Sequence, residues 1–493
     1  MFKYQISFHS ITRIYALILV GLGCMLFSCK KSGFDQSSNS ESPEIIQEIA
    51  NIGLNDIMVR GYITAIMDNS STGLFLYKGR PMGYEYELLS LYAESLGIEL
   101  RFDITPDMAE GFEKLNNGLG DILAYNLTIT KERKEKISFT QFHNLVKQVL
   151  IQRKPDNWRD MKLHEIEKLL VRNTVDLIGQ EVYVRKSSSY VSRLKNLSDE
   201  IGGDIMIIED FPDLETEGMI RKVANGEIKF TVADEDVALV NARYYPNIDV
   251  KTAISFPQQI AWGVRKNADS LRLSLNSWID KMKKTPEYYA IYDKYFKSTK
   301  ASKARLNSDL FSMNADQISP YDSLIKSAAD EIGWDWRMLA AQISKESKFD
   351  PKAKSWAGAL GLMQLIPINA KEYGIKNIYD PAENIRGGKE HIKWLQGVWK
   401  KQIADTLERQ KFVLASYNVG LGHVEDAVRL TKKYGTDILI WDGNVSEFIL
   451  KKTESKYFND SVVKYGYCRG EEPVQYVIDI LALYQQYLQL KPS

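Results

Sequence analysis

The chain has 493 residues, 44% of them apolar, and its 64 Lys and Arg balance 64 Asp and Glu. That length exceeds one ordinary domain, and the apolar fraction excludes a disordered chain. A net charge of zero excludes the overall basic character of a nucleic-acid-binding protein, so no nucleic-acid partner is expected.

Lys3 and Arg13 precede the apolar run IYALILVGLGCMLF, which is shorter than a membrane span and reads as the core of a secretory signal. The run ends in LFSCKK. Small Ser28 before Cys29 resembles the lipobox of bacterial lipoproteins, although Phe27 stands where that pattern takes a smaller residue. The resemblance implies a signal peptide over residues 1–28, lipid on Cys29, and attachment to the outer membrane facing the periplasm. With Cys24 in the signal and Cys29 lipidated, Cys468 alone remains, so the mature chain has no disulfide framework. Cys468 reads as a small core residue.

Residues 29–50, rich in Ser and polar groups, read as a flexible tether. A mixed region follows over 51–298, then the polar stretch KSTKASKARLNSD within a linker, 299–316. DIMVRGYIT reads as a strand, YEYELLSLYAESLG as a helix closed by Gly97, IELRFDIT as a strand, and MAEGFEKLNNG as a helix ending at Gly118. This alternation predicts an α/β sheet.

The segments GYEYELLSLYAESLGIEL, LNNGLGDILAYNLTITKERKEKISFT and VANGEIKFTVADEDVAL resemble the extracellular solute-binding proteins that take polar amino acids. The resemblance implies a two-lobed α/β periplasmic-binding-protein-like module, with lobe 1 over 54–152 and 253–298, lobe 2 over 153–252, and a ligand cleft at the hinge. By motif position Arg133 is implied to clamp a ligand α-carboxylate, a task that suits its planar fork. Asp234 is implied to pair with an α-ammonium, and Thr128 to assist with its hydroxyl. The implied ligand is zwitterionic, an amino acid or a muropeptide.

Residues 317–493 read as all-helical. In SPYDSLIKSAADEIGWD, Ser319 reads as an N-cap and Pro320 as the first helical residue, with Leu324, Ile325, Ala328 and Ile332 on one apolar face. The next helix begins near Asp335 and places Trp336, Leu339, Ala340 and Ile343 at helical spacing. Glu346 follows Ile343 by three residues and Leu339 by seven, so it projects from the buried stripe while Lys345 and Lys348 point elsewhere. A carboxyl group there is partly desolvated and its pKa rises, as a general acid working near neutral pH requires.

Three blocks, KESKFDPKAKSWAGALGLMQLIP, ASYNVGLGHVEDA and EEPVQYVIDILALYQQY, resemble in order those of the soluble-lytic-transglycosylase domain, a goose-lysozyme-like all-α fold. A solute-binding module ahead of this domain resembles the modular membrane-bound lytic transglycosylases. The resemblance implies that Glu346 is the catalytic acid and base, with Ser347 beside it and Ser355 facing the cleft. It implies a wall at Gly361, Met363 and Gln364, where small residues admit the sugar and Met363 and Gln364 contact it. Tyr417 and Asn418 are implied to position substrate, and Tyr476 to lie near the acid. Many relatives carry Arg two residues before that tyrosine; here the position is Val474. Glu472 reads as structural.

The implied substrate is the glycan strand of peptidoglycan, cleaved at the MurNAc-β-1,4-GlcNAc bond to leave 1,6-anhydro-MurNAc ends. A muramidase-type hydrolase and a non-catalytic solute-binding or sensing lipoprotein are the alternatives. His9, His143, His164, His391 and His423 form no H-E-x-x-H pattern, so no catalytic metal and no cofactor are expected.

Overall fold

The computed structural model describes residues 49–490 apart from 187, 210–213, 299–304, 306–307, 309–310 and 313–316. The expected signal peptide, Cys29 and nearly all of the tether lie outside the described residues. No helix among the described residues is long and apolar enough to cross a membrane.

The first apolar run is not one strand. Asp56 accepts the Gly53 N–H at 2.8 Å, Leu54–Arg60 coils into a helix, and Gly61, at φ +76°, ends it. Only Tyr62–Met67 is strand. Caps at both ends outweigh the β propensity of so short a run. That strand lies within a sheet ordered Glu99–Ile104, Tyr62–Met67, Ile122–Thr128, Gln258–Val264, Ser138–Phe139, with Asn144–Val146 also on Gln258–Val264. The first three run parallel, joined by crossovers through the helices Tyr84–Leu96 and Met108–Asn116, and Gln258–Val264 returns antiparallel. Tyr84, Leu88 and Tyr92 face this core.

The second lobe has its own sheet, ordered Met206–Ile208, Glu181–Tyr183, Phe230–Asp234, Gln148–Arg153, Ile248–Ala253. This moves the expected lobe boundary. The range 54–152 expected for lobe 1 includes Gln148–Gln152, yet these residues pair with Phe230–Asp234 and Ile248–Ala253. The chain crosses between lobes at Lys147, between two consecutive strands, Asn144–Val146 and Gln148–Arg153, whose apolar residues read as continuous.

The described residues of the linker include a strand that its polar composition does not predict. Phe311–Ser312 adds an antiparallel strand to the hairpin Phe75–Tyr77 and Arg80–Met82. Arg305 is buried, its guanidinium over the rings of Phe75 and Tyr295.

Beyond it the chain is helical. The first helix spans Asp322–Ile332 rather than starting at Pro320. Asp322 accepts the N–H groups of Ile318 and Ser319, and Ser319 Oγ accepts that of Tyr321, which makes a turn where an N-cap was expected. Leu324 is exposed, and Ala329 takes its place on the buried face. Trp336–Ser347, Pro381–Trp399, Thr406–Val419, Leu421–Tyr434 and Glu471–Leu490 complete the principal helices. A fully buried Lys452–Asp426 pair at 2.8 Å ties the loop after the short helix Ser446–Lys451 to Leu421–Tyr434, and Asp426 also accepts the N–H groups of Lys464 and Tyr465.

One face of lobe 1 and the helical domain share a continuous apolar core that Val240 of lobe 2 also enters, the other face of lobe 1 packs a smaller cluster around Leu115 and Leu123, and lobe 2 packs two cores of its own. The C-terminal helix Glu471–Leu490 makes the junction. Its Gln489 side chain accepts the N–H of Phe102 at 2.9 Å on the edge strand of the lobe 1 sheet, covering an edge otherwise open to pairing. Gln486 donates to Tyr86 at 3.2 Å, and the Tyr487 hydroxyl donates to the Gly79 carbonyl at the tip of the hairpin.

Candidate active site

The helix Trp336–Ser347 is capped by Asp335, whose side chain accepts the Arg337 N–H at 2.9 Å. Its buried stripe, Leu339, Ala340 and Ile343, carries Glu346 to the edge of the core, where the side chain is half-buried. The Tyr476 hydroxyl donates to Glu346 Oε1 at 2.5 Å. Burial pushes the Glu346 carboxyl up to about 7, against the opposing effects of the Tyr476 hydrogen bond and the Lys345 charge. Lys345 is itself turned to Asp479. The groups that shift Glu346 are thus a tyrosine and a lysine, not a second carboxylate.

Tyr417 completes this cluster. Its hydroxyl donates to the Met363 carbonyl at 2.7 Å. Burial and then the Glu346 charge raise its pKa, which places the phenol within electrostatic reach of the acid. Asn418 follows it on Thr406–Val419 and is half-buried. Val474 packs against the core, and Glu472 is exposed.

Several residues expected at the substrate make bonds or contacts within the protein. The Ser347 hydroxyl is buried and donates back to the Ile343 carbonyl at 3.2 Å, a helix-internal bond. Met363 is fully buried with its sulfur against Gly388, so its backbone carbonyl, not its side chain, belongs to the wall. A side chain at Gly361 (φ +79°) would strike Asn384 and the Ile378 carbonyl; glycine is needed there for loop closure, not for sugar approach. The Ser355 hydroxyl accepts the Ala359 N–H at 2.9 Å and braces the loop before the wall. Gln364, at φ +48°, donates to the carbonyls of Gly361 at 2.8 Å and Ala353 at 3.3 Å, holding the same loop.

Two residues escaped sequence reasoning. Asn384 is fully buried, accepts the Met363 N–H at 2.7 Å and donates to the carbonyls of Leu360 and Ile378, so it fastens the whole wall. Its only signal was an amide on the buried side of a helix. His391 lies against Tyr417 with ring centroids 5.1 Å apart, stacks on half-exposed Trp394, and shares a 2.9 Å hydrogen bond with Tyr373. Burial lowers it to about 4, so it is neutral at pH 7.

A family model described as Transglycosylase SLT domain matches residues 323–440, and one described as Bacterial extracellular solute-binding proteins, family 3, matches residues 63–298. A membrane-bound lytic murein transglycosylase F of Desulfosudis oleivorans is 34% identical over 429 residues, 87% of this chain and 90% of that relative. This chain belongs to the membrane-bound lytic murein transglycosylase F family. Another relative of that name, from Photobacterium profundum, is 32% identical over 88% of this chain and 81% of its own length. Among solved structures, an ancestral arginine-binding protein bound to arginine aligns at 22% identity with a TM-score of 0.40, over 48% of this chain and 99% of that one.

In this member of the transglycosylase F family the cleft between the lobes brings Thr128, Arg133 and Asp234 to one cavity of about 50 Å³. Arg133 donates to the Thr128 carbonyl at 3.0 Å and to the Met108 sulfur at 3.1 Å, and burial lowers its pKa to about 10. Asp234 Oδ2 accepts from Asn126 of the opposite lobe at 3.1 Å. Ser71 N–H to Glu217 at 2.8 Å, Arg185 to Asp68 at 3.4 Å and Ser189 to Thr128 at 3.3 Å also cross between the lobes. A cavity of that volume has room for only a few waters, so the lobes must part to admit an amino acid.

Proposed function

We propose that this chain cleaves peptidoglycan glycan strands as a lytic transglycosylase, with Glu346 as both acid and base. The observation that carries this is a half-buried carboxyl at about 7, held by a tyrosine hydroxyl at 2.5 Å. Glu346 gives its proton to the glycosidic oxygen between MurNAc and GlcNAc as the C1–O bond breaks. The C6 hydroxyl of MurNAc attacks C1, its proton passes to Glu346, and the 1,6-anhydro product leaves with the acid restored. Most glycosidases need two carboxylates, one for the bond and one for water or covalent attack. An intramolecular hydroxyl already held close removes the need for the second. Tyr476 steadies the carboxylate between the two proton transfers, and Tyr417 with Asn418 borders the sugar site.

Digestion of purified sacculi tests this reading. Wild type yields anhydro-muropeptides, lighter by one water than hydrolysis products, and Glu346→Gln loses activity by about a thousand-fold or more. Reducing-end products from the wild type establish the muramidase alternative. Substantial cleavage by Glu346→Gln removes the acid assignment.

We further read the two-lobed module as one that binds a zwitterionic amino acid or muropeptide and regulates or directs cleavage. Supporting regulation, the cleft loop carrying Asp68, Ser71 and Thr72 runs directly into the hairpin whose tip touches the acid helix, with Ser344 Oγ 3.5 Å from the Lys78 carbonyl. Activity unaltered by added amino acids or muropeptides reduces the module to targeting. Lipidation of Cys29, with outer-membrane attachment facing the periplasm, is read from the signal sequence alone. Membrane fractionation checks it: Cys29→Ser releases the protein to the soluble fraction, and unchanged membrane association removes the anchor.

A further inference from the structure

The cavity between the lobes carries more acid than a zwitterion can use. It is lined by four carboxylates, Asp68, Glu215, Glu217 and Asp234, against two guanidiniums, Arg133 and Arg185. Asp68, Glu217 and Asp234 are more than nine-tenths buried. Arg185 is already engaged, facing Asp68 at 3.4 Å and donating to the Pro106 carbonyl. Glu217 Oε1 accepts a neutral backbone N–H, that of Ser71. Asp234 Oδ1 is buried in the cavity wall with no hydrogen-bond partner, an acceptor left for a ligand donor.

An amino acid seated with its α-carboxylate toward Arg133 and its α-ammonium toward Asp234 adds no net charge. Asp68, Glu215 and Glu217 then still face Arg185 alone. Buried carboxylates without counter-charge are costly in ionised form. Burial accordingly raises Asp68 and Glu215 and pushes Glu217 up to about 7. A second cationic group on the ligand meets these acids directly, in a closed site where screening by solvent is weak.

We infer that the cleft selects a cationic amino-acid ligand, carrying an ammonium or guanidinium group in addition to its α-ammonium and α-carboxylate. This rests on the reading of the module as an amino-acid or muropeptide binder. Arg133 and Asp234 hold the end common to all amino acids, and Glu215 and Glu217 of lobe 2, with Asp68 of lobe 1, read the side chain. Because those acids come from both lobes, a cationic side chain also adds a bridge across the closure to the contacts the protein makes by itself.

Titration calorimetry on the full chain tests this with L-lysine, L-ornithine, L-glutamine and L-glutamate, and with Nα-acetyl-L-lysine to separate a free amino acid from a residue within a peptide. Lysine or ornithine is expected to bind at least about ten-fold tighter than glutamine, with glutamate weakest. Glu215→Gln and Glu217→Gln are each expected to weaken lysine by about five-fold or more while leaving glutamine within about two-fold. Glu215 is the less buried of the pair, so its variant keeps the test open should Glu217→Gln fold poorly. Tight binding of Nα-acetyl-lysine supports the same charge selection within a peptide. Glutamine or glutamate matching lysine overturns the inference and leaves the amino-acid reading standing. Binding of none of the five probes overturns both.

Discussion

At the scale of single residues, Glu346 is set by two opposing influences. Burial raises its carboxyl, and the Tyr476 hydroxyl, by donating to the charged form, pulls it back with the help of the Lys345 charge, to about 7. The first step needs the protonated acid, so the rate falls as pH rises through that value. Tyr476→Phe removes the pull. The Glu346 pKa then rises further, the basic limb of the pH–rate profile moves to higher pH, and kcat at the plateau drops by about ten-fold or more because the carboxylate formed after protonation loses its donor. A pH profile of turnover on soluble glycan fragments reads both effects; a limb that stays put or moves down removes Tyr476 from control of the acid. The residue scale is also where sequence reasoning overreached. Ser347 and Met363 turn their side chains to the helix and the core, and Gly361, by lacking one, lets the loop close.

At the scale of elements, the turn after the acid helix is strained. Lys348 and Phe349 both take left-handed backbone angles, φ 54° and 59°. Each such non-glycine residue costs roughly 1–2 kcal/mol. Phe349 is fully buried and abuts the hairpin tip at Gly79, so the neighbouring module helps hold the turn in place. At Gly79, φ is +70° and an added Cβ would collide with the Phe349 ring and come within 2.7 Å of Ser344 Oγ and the Tyr487 hydroxyl. Gly79→Ala should therefore destabilise the protein by about 2–4 kcal/mol in urea titration and lower cleavage under conditions where the variant is folded. A variant within about 0.5 kcal/mol of wild type and fully active contradicts any support of the acid turn by the hairpin.

At the scale of the whole molecule, the boundary of cooperative folding does not follow the boundary between modules. Lobe 1 shares an apolar core with the helical domain, while lobe 2 has two cores of its own and joins lobe 1 through polar contacts across the cleft, the packing of Val240 and Tyr244 on the shared core, and the two connecting segments. Native-state hydrogen exchange should show amides of Phe230–Asp234 and Gln148–Arg153 opening together, at lower free energy than those of Tyr62–Met67 and Trp336–Ser347, which open as one unit. Coincident protection of both lobes, with the helical domain opening apart, contradicts this arrangement. Docking explains the division. The C-terminal helix carries Tyr476 at the acid and, about 16 to 20 Å further along, Tyr487 and Gln489 on lobe 1. One rigid element therefore belongs to both sites.

Local pattern sufficed wherever one element decides the outcome. The α/β alternation, the helical C-terminal region, and a carboxylate at the end of an apolar stripe follow from periodicities of two and 3.6, which each segment carries within itself. What depends on partners distant in the chain needed the tertiary structure: the crossing at Lys147, Asn384 behind the wall, the strand Phe311–Ser312 in a polar stretch, and the acids gathered in the cleft. Hydrogen-bond partners and burial of charge are set by what folds back from far away, and no window of sequence contains that information.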